Sequence, residues 1–307
     1  MWWGKRRASI ASALIMVTVA AGCGGADAGA EGTENATNVY GTLKPGVLTV
    51  AIQPYMPYTG TEGKKLVGID SEILQHVAGK LNLKLEPKVT DFNGMLGSIQ
   101  AQRADITIGG IAWTKERQEQ GLFTDPPYYS PPAMAVRGDG QYPTVESLRG
   151  LSMGTVTGYV WVKSIQAVPD SKLRTYPNAN GVFSDLGAGR ISVGFLDPLL
   201  IIYTQQKRPD LKFSTRYLTP PTDAQVKEEK AFEYLRPYMT SFYIPKQEPK
   251  LEQAISEGIR QMYADGTMTT LIKKYGGDPD QFLKASPWMG ALRAGVDRPA
   301  GWKPPSL

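Results

Sequence analysis

Cysteine and histidine are almost absent from these 307 residues, which hold one of each, Cys23 and His76. A single cysteine excludes an intrachain disulfide and a cysteine-based metal cluster. A single histidine leaves no His-rich metal site, and neither a Ser–His nucleophile pair nor a phosphate-binding glycine loop is recognisable. No run of basic residues with interleaved aromatics occurs, so nucleic acid lacks its electrostatic footprint. The formal charge of +5 falls to +2 once Lys5, Arg6 and Arg7 are set aside with the leader described next. With 41% hydrophobic and 21% charged residues the composition is that of a globular protein. The length exceeds what a single core comfortably fills, about 250–300 residues, and points to two lobes.

The N-terminus carries the most specific local signal. Lys5, Arg6 and Arg7 precede an uncharged apolar stretch, Ala8 to Ala21. That stretch is shorter than the ~20 residues of a membrane span but suits the apolar core of a signal peptide. It ends in Ala20-Ala21-Gly22-Cys23, which resembles a bacterial lipobox. Residues 1–22 are therefore expected to be a lipoprotein signal peptide, with the lipid on Cys23. The Gly- and Ala-rich residues after it have no hydrophobic periodicity, and 23–41 reads as a flexible tether.

Past the tether, short apolar runs alternate with helical spacing. Val47 to Ile52 fits a buried strand; Ile73, Leu74, Val77 and Leu81 share one helix face, which Asp70 is expected to cap. A strand over 83–89, a helix over 92–103 and a strand over 105–108 complete an α/β lobe with a mostly parallel sheet. A second series of strands and helices follows the turn Gly138-Asp139-Gly140, and the chain returns near Met239 to Ile244. The expected architecture is α/β and two-lobed, with two hinge strands. Lobe 1 takes residues 42–136 and 240–284, lobe 2 takes 137–239, and 285–307 is an irregular tail. His76 is expected on a helix surface.

Four stretches carry a family likeness. They are Leu48 to Ala51 with Tyr55-Met56-Pro57-Tyr58 and Val67 to Ile73; Asp105 to Arg117 with Phe123 to Tyr128; Gly189 to Asp197; and Leu251 to Gly276. In this order and spacing, from about residue 46 to 283, the chain resembles the amino-acid-type extracellular solute-binding proteins of ABC transporters (family 3). That resemblance implies the type II periplasmic-binding-protein fold and a ligand held between the lobes. The implied partners are a small amino-acid-like ligand, an ABC permease and the membrane reached through the lipid anchor. The expected location is extracytoplasmic, the expected state a monomer, and neither a cofactor, a metal nor nucleic acid is implied.

The resemblance also implies roles. Arg117, in Thr-x-x-Arg, would hold the ligand carboxylate with its planar fork. Asp197 would pair with the ammonium, joined by the Gly110 carbonyl, while the Ala112 amide would assist the carboxylate. Tyr55 and Phe92 would sandwich the ligand side chain, and Gln53 would read it without favouring a basic group. Where the family has hydroxyl residues, this chain has Ala112 and Tyr159-Val160-Trp161. The amides of Tyr159 and Val160, at a helix start, are expected to offer an anion site.

Each residue also has a plain structural alternative. Arg117 suits a surface helix capped by Thr114, and Asp197 before Pro198 suits a helix cap. Gly109-Gly110 suits a simple turn, and the aromatics suit the core. Two other functions fit the same scaffold, a dehydratase-like extracytoplasmic enzyme and a ligand-sensing lipoprotein. The enzyme reading lacks an evident proton-transfer group.

Overall fold

The computed structural model describes residues 38–307. The leader, Cys23 and the tether to residue 37 lie outside the described residues. Residues 38–41, expected as tether, form a turn: the Asn38 side chain donates to the Thr42 carbonyl (2.6 Å) and accepts from its amide (3.0 Å).

The first sheet forms around β1 (Val47–Ile52), a Val/Leu/Ile-rich strand buried along almost its whole length, as a strand covered on both faces must be. A hairpin, β2 (Gly60–Glu62) and β3 (Lys65–Val67), leads into α1 (Ile69–Lys80). Strand β4 (Lys84–Val89) lies parallel to β1. Helix α2 (Phe92–Gln100) is capped by Asp91, which accepts the Gly94 amide at 2.7 Å, and β5 (Ile106–Thr107) pairs parallel with the other edge of β1. The one-turn α3 (Lys115–Gln118) and β6 (Leu122–Phe123) follow.

Strand β7 (Tyr128–Ser130) then leaves this lobe, and β8 (Ala133–Arg137) enters the second sheet. Three parallel strands, β9 (Ser152–Val156), β10 (Lys172–Tyr176) and β11 (Val193–Phe195), alternate with α4 (Trp161–Ala167) and α5 (Ala179–Gly187). Helix α6 (Pro198–Lys207) and β12 (Phe213–Tyr217) close the sheet in the order β10-β9-β11-β8-β12. After α7 (Asp223–Glu228), β13 (Tyr238–Thr240) returns antiparallel to β7, and β14 (Tyr243–Ile244) inserts antiparallel between β5 and β6. The first sheet is thus β4-β1-β5-β14-β6. Each sheet has three parallel strands, then an antiparallel one that has just crossed from the other lobe. Helices α8 (Pro249–Ala264), α9 (Thr267–Lys274), α10 (Pro279–Phe282) and α11 (Met289–Arg293) end the chain. Among the described residues no helix is long and apolar enough to cross a membrane.

Several details depart from the sequence reading. Residues 133–136, assigned there to the first lobe, pair with β11 and β12, so the crossing falls just before them. A short apolar run buried on both faces has no periodicity to say which sheet it joins. The capping position of helix α1 is Gly68, not Asp70. Gly68 has φ 106, and a Cβ there would collide with the Tyr58 carbonyl. His76 lies half-buried at the helix surface, with its Nε2 buried and unpartnered.

The C-terminal segment, expected as an irregular tail open to local packing, packs on the first lobe. Arg293 is wholly buried and donates to the carbonyls of Thr124 (2.8 Å) and Phe123 (2.9 Å) while pairing with Asp297 at 2.6 Å. Its guanidinium stacks near Trp302 (5.2 Å) and Trp113 (5.9 Å). Arg298 reaches Asp125 (2.9 Å) and Glu252 (2.7 Å), and the Tyr129 hydroxyl donates to the Pro305 carbonyl.

Candidate functional site

The one-turn helix α3 brings Arg117 to the cleft. Thr114 caps it, its hydroxyl accepting the Arg117 amide at 3.1 Å. The preceding loop is tied to the hinge, because the Trp113 amide donates to the Met239 carbonyl at 3.0 Å. The guanidinium donates to the Ala112 carbonyl (2.8 Å) and, across the cleft, to the Gly158 carbonyl (3.0 Å). It also lies 5.2 Å from the Phe92 ring centre. Both hydrogen-bond partners are neutral, so neither compensates the charge, and burial draws the guanidinium below its ordinary pKa.

Asp197 follows β11 and opens α6, with Pro198 in the first helical position. Its side chain does not cap the helix. It turns to the other lobe instead, where one oxygen accepts the Tyr55 hydroxyl at 2.6 Å. The other oxygen accepts the Tyr238 hydroxyl, from hinge strand β13. Burial pushes the carboxyl up to about 6, against the pull of the two tyrosine bonds. Burial and the adjoining carboxylate hold the Tyr55 and Tyr238 hydroxyls far above their ordinary range, so both remain donors.

A second buried carboxylate shapes the turn beside it. Asp70 accepts the amides of Gly109 (2.8 Å) and Gly110 (3.0 Å) and the Tyr128 hydroxyl (2.7 Å), and burial pushes it too up to about 6. Gly110, at φ +71, comes so near Asp197 that an added Cβ would sit 3.4 Å from its carboxylate. Tyr58, stacked between Tyr55 (5.5 Å) and Tyr128 (6.0 Å), accepts the Leu199 amide of α6 at 3.2 Å.

Tyr159 enters from the second lobe. Its ring meets Phe92 edge-on at 4.7 Å and Tyr55 at 6.2 Å, and its hydroxyl accepts from Gln53 Nε2 at 2.9 Å. The expected anion site on the amides here gives way to a tighter turn. The Tyr159 amide donates to the Val156 carbonyl (3.1 Å), and Val160 is the flanking residue of a helix only seven residues long.

Seven of the residues singled out from sequence, Phe92, Gly110, Ala112, Arg117, Tyr159, Val160 and Asp197, line one cavity of about 10 Å³. Tyr55 and Gln53 join it through their hydrogen bonds. Trp161, named above as a departure from the family, lines it as well; Tyr238 also does and was not foreseen, nor were Asp70 and Tyr128 behind it. A larger groove of about 650 Å³, between α5, α6 and Pro54–Met56, includes neither Arg117 nor Asp197. Among the described residues no acidic or histidine cluster is fit to hold a metal.

Two α/β lobes, joined by two short strands and closed on a half-buried guanidinium and a buried carboxylate, define a type II periplasmic-binding-protein architecture. The chain belongs to the bacterial extracellular solute-binding proteins, family 3, whose model matches residues 48–278. It is 27% identical over 270 residues to the "Probable amino-acid-binding protein YxeM" of Bacillus subtilis (strain 168), covering 87% of this chain and 92% of that protein. It is 26% identical over 255 residues to the histidine-binding periplasmic protein of Escherichia coli (strain K12), covering 78% and 91%. In fold it matches the crystal structure of the substrate-binding protein of an amino acid ABC transporter, with TM-score 0.64 and 22% identity, over 75% of this chain and 99% of that one.

Proposed function

We propose that the protein captures a small amino-acid-like zwitterion between its lobes and presents the closed form to an ABC-type permease. It stays at the outer face of the membrane through a lipid on Cys23. The observation that carries this reading is the meeting of Arg117, from the first lobe, with Asp197, from the second, at one cavity. Family membership and the names of the two curated relatives support it.

The binding cycle follows from which partners can be exchanged. Opening about β7 and β13 breaks the Arg117–Gly158 and Tyr55–Asp197 bonds. A ligand carboxylate then replaces the carbonyls on Arg117, and a charge-assisted pair is about twice as strong as a neutral one. The ligand ammonium replaces tyrosine hydroxyls on Asp197. Because the two charges sit on opposite lobes, a zwitterion favours the closed population and so carries a signal a permease can read.

The test is a thermal-shift and calorimetric screen of the purified full chain against amino acids and related zwitterions. One ligand bound per chain and recovered unchanged supports binding without chemistry. Turnover of that ligand, or no stabilisation by any of them, contradicts it.

A further inference from the structure

Tyr55, bonded to Asp197 at 2.6 Å, and Phe92, 5.2 Å from the Arg117 guanidinium, flank the Arg117–Asp197 pair from the first lobe with Gln53, and the space these three bound is where a ligand side chain would extend. All three already engage one protein side chain. The Tyr159 ring packs edge-on against Phe92 (4.7 Å, 68°) and against Tyr55 (6.2 Å, 87°), and Gln53 donates to its hydroxyl at 2.9 Å. Behind it stands the Trp161 ring at 5.9 Å, fixed by a 3.1 Å bond from its Nε1 to the Tyr234 carbonyl, so the tyrosine has little room to retreat. The turn that delivers it passes through Gly158 at φ +86, a conformation that favours glycine and holds the ring's direction. About 10 Å³ remains, roughly the room one water needs and far less than a side chain.

The lobe origins decide what this does to selection. Arg117 and Asp197 lie on opposite lobes, so a small separation about the hinge admits an ammonium and a carboxylate between them. Tyr55, Phe92 and Gln53 all lie on the first lobe, and their shared slot is filled from the second. That slot clears only when Tyr159 leaves it altogether. Resting on the solute-binding reading above, we infer that Tyr159 determines specificity: it occupies the side-chain slot and restricts the site to compact zwitterions. Ligands of the size of glycine or alanine keep the Tyr159 contacts. Longer side chains must displace a ring that packs against two aromatic neighbours and is hydrogen-bonded at its tip.

The experiment is calorimetry of the full chain and of Tyr159→Phe and Tyr159→Ala with glycine, L-alanine, L-glutamine, L-histidine and L-arginine. The parent is expected to bind glycine or alanine at least tenfold more tightly than the three longer ligands. Tyr159→Phe keeps the ring and should keep that order. Tyr159→Ala should improve binding of a longer ligand at least tenfold relative to alanine. Binding of a long ligand by the parent as tightly as of alanine overturns the filter while leaving the solute-binding reading in place. So does an unchanged order in a folded Tyr159→Ala protein. Failure of all three proteins to bind any of the five contradicts the underlying reading and the filter with it. The parent and Tyr159→Phe results stand even where Tyr159→Ala does not fold.

Discussion

The Tyr55 hydroxyl of the first lobe donates to Asp197 of the second at 2.6 Å, and the same carboxylate accepts Tyr238 from the hinge strand. One buried side chain therefore contacts both lobes and the strand about which they turn. Three further bonds cross the cleft beside it, Tyr58–Leu199, Gln53–Tyr159 and Arg117–Gly158. Arg117, Asp197 and Gln53 each have an internal partner from which a ligand would have to release them. On the proposed reading, closure and ligand recognition use the same atoms.

Stability should depend on pH through this carboxylate and Asp70. Burial raises both to about 6 from an ordinary value of 3.8. A raised carboxyl pKa contributes stability that is full below the ordinary value and is lost as pH rises through about 6. For each group the shift corresponds to at most about 3 kcal/mol. The melting temperature, followed by scanning calorimetry, should fall between about pH 4 and pH 6 and level off above pH 7, and Asp197→Asn should flatten part of that fall. Asp185, held down at about 2 by Arg190, titrates outside this window and does not mask it.

Ligand affinity should run the other way. An ammonium needs the ionised form of Asp197, so binding of a neutral amino acid should tighten as pH rises from 5 to 7 and level off above that. Titrations at four pH values check this, and a flat profile argues against Asp197 as the ammonium partner.

The C-terminal segment should be indispensable to the first lobe. Arg293→Ala strands the buried Asp297 carboxylate and the Thr124 carbonyl, a loss of about 3–5 kcal/mol typical of a broken buried pair. Urea unfolding should show it. Removal of residues 285–307 should yield a chain that does not fold, because it also uncovers Trp113 and the Tyr129 hydroxyl.

Cys23→Ser should abolish lipid attachment and leave the protein unprocessed or released, with its melting curve unchanged. Metabolic labelling with a radioactive fatty acid and membrane fractionation read this out, and continued labelling contradicts Cys23 as the lipid site.

What was legible in the sequence was what local pattern encodes. The buried run Val47–Ile52, the Thr114 cap and the Asp197-Pro198 helix start are short-range features, and they positioned Arg117 and Asp197 in advance. What was not legible depends on distant partners. Asp70 reads as a helix cap until folding brings Gly109 and Gly110 to within hydrogen-bond reach. Tyr238 belongs to a three-residue strand whose partner lies over a hundred positions away, at Ser130. The tail, rich in Pro and Gly, looks irregular because its order comes from Arg293 and Arg298 meeting Phe123, Asp125 and Glu252. Tyr159 stood out only as a departure, and its bulk gained a role once Phe92 and Gln53 were seen around it.

The charge pair at the cleft is tested most directly by calorimetry at pH 7.5 on the parent, Arg117→Lys and Asp197→Asn, with the tightest ligand from the zwitterion screen. Arg117→Lys keeps the charge but loses the two-pronged geometry, and Asp197→Asn keeps the shape but loses the charge. Each should weaken binding by about 2–5 kcal/mol, tens to thousands of times in affinity, while the melting temperature without ligand falls little. Near-parental affinity in both variants would contradict the clamp and move the binding site elsewhere.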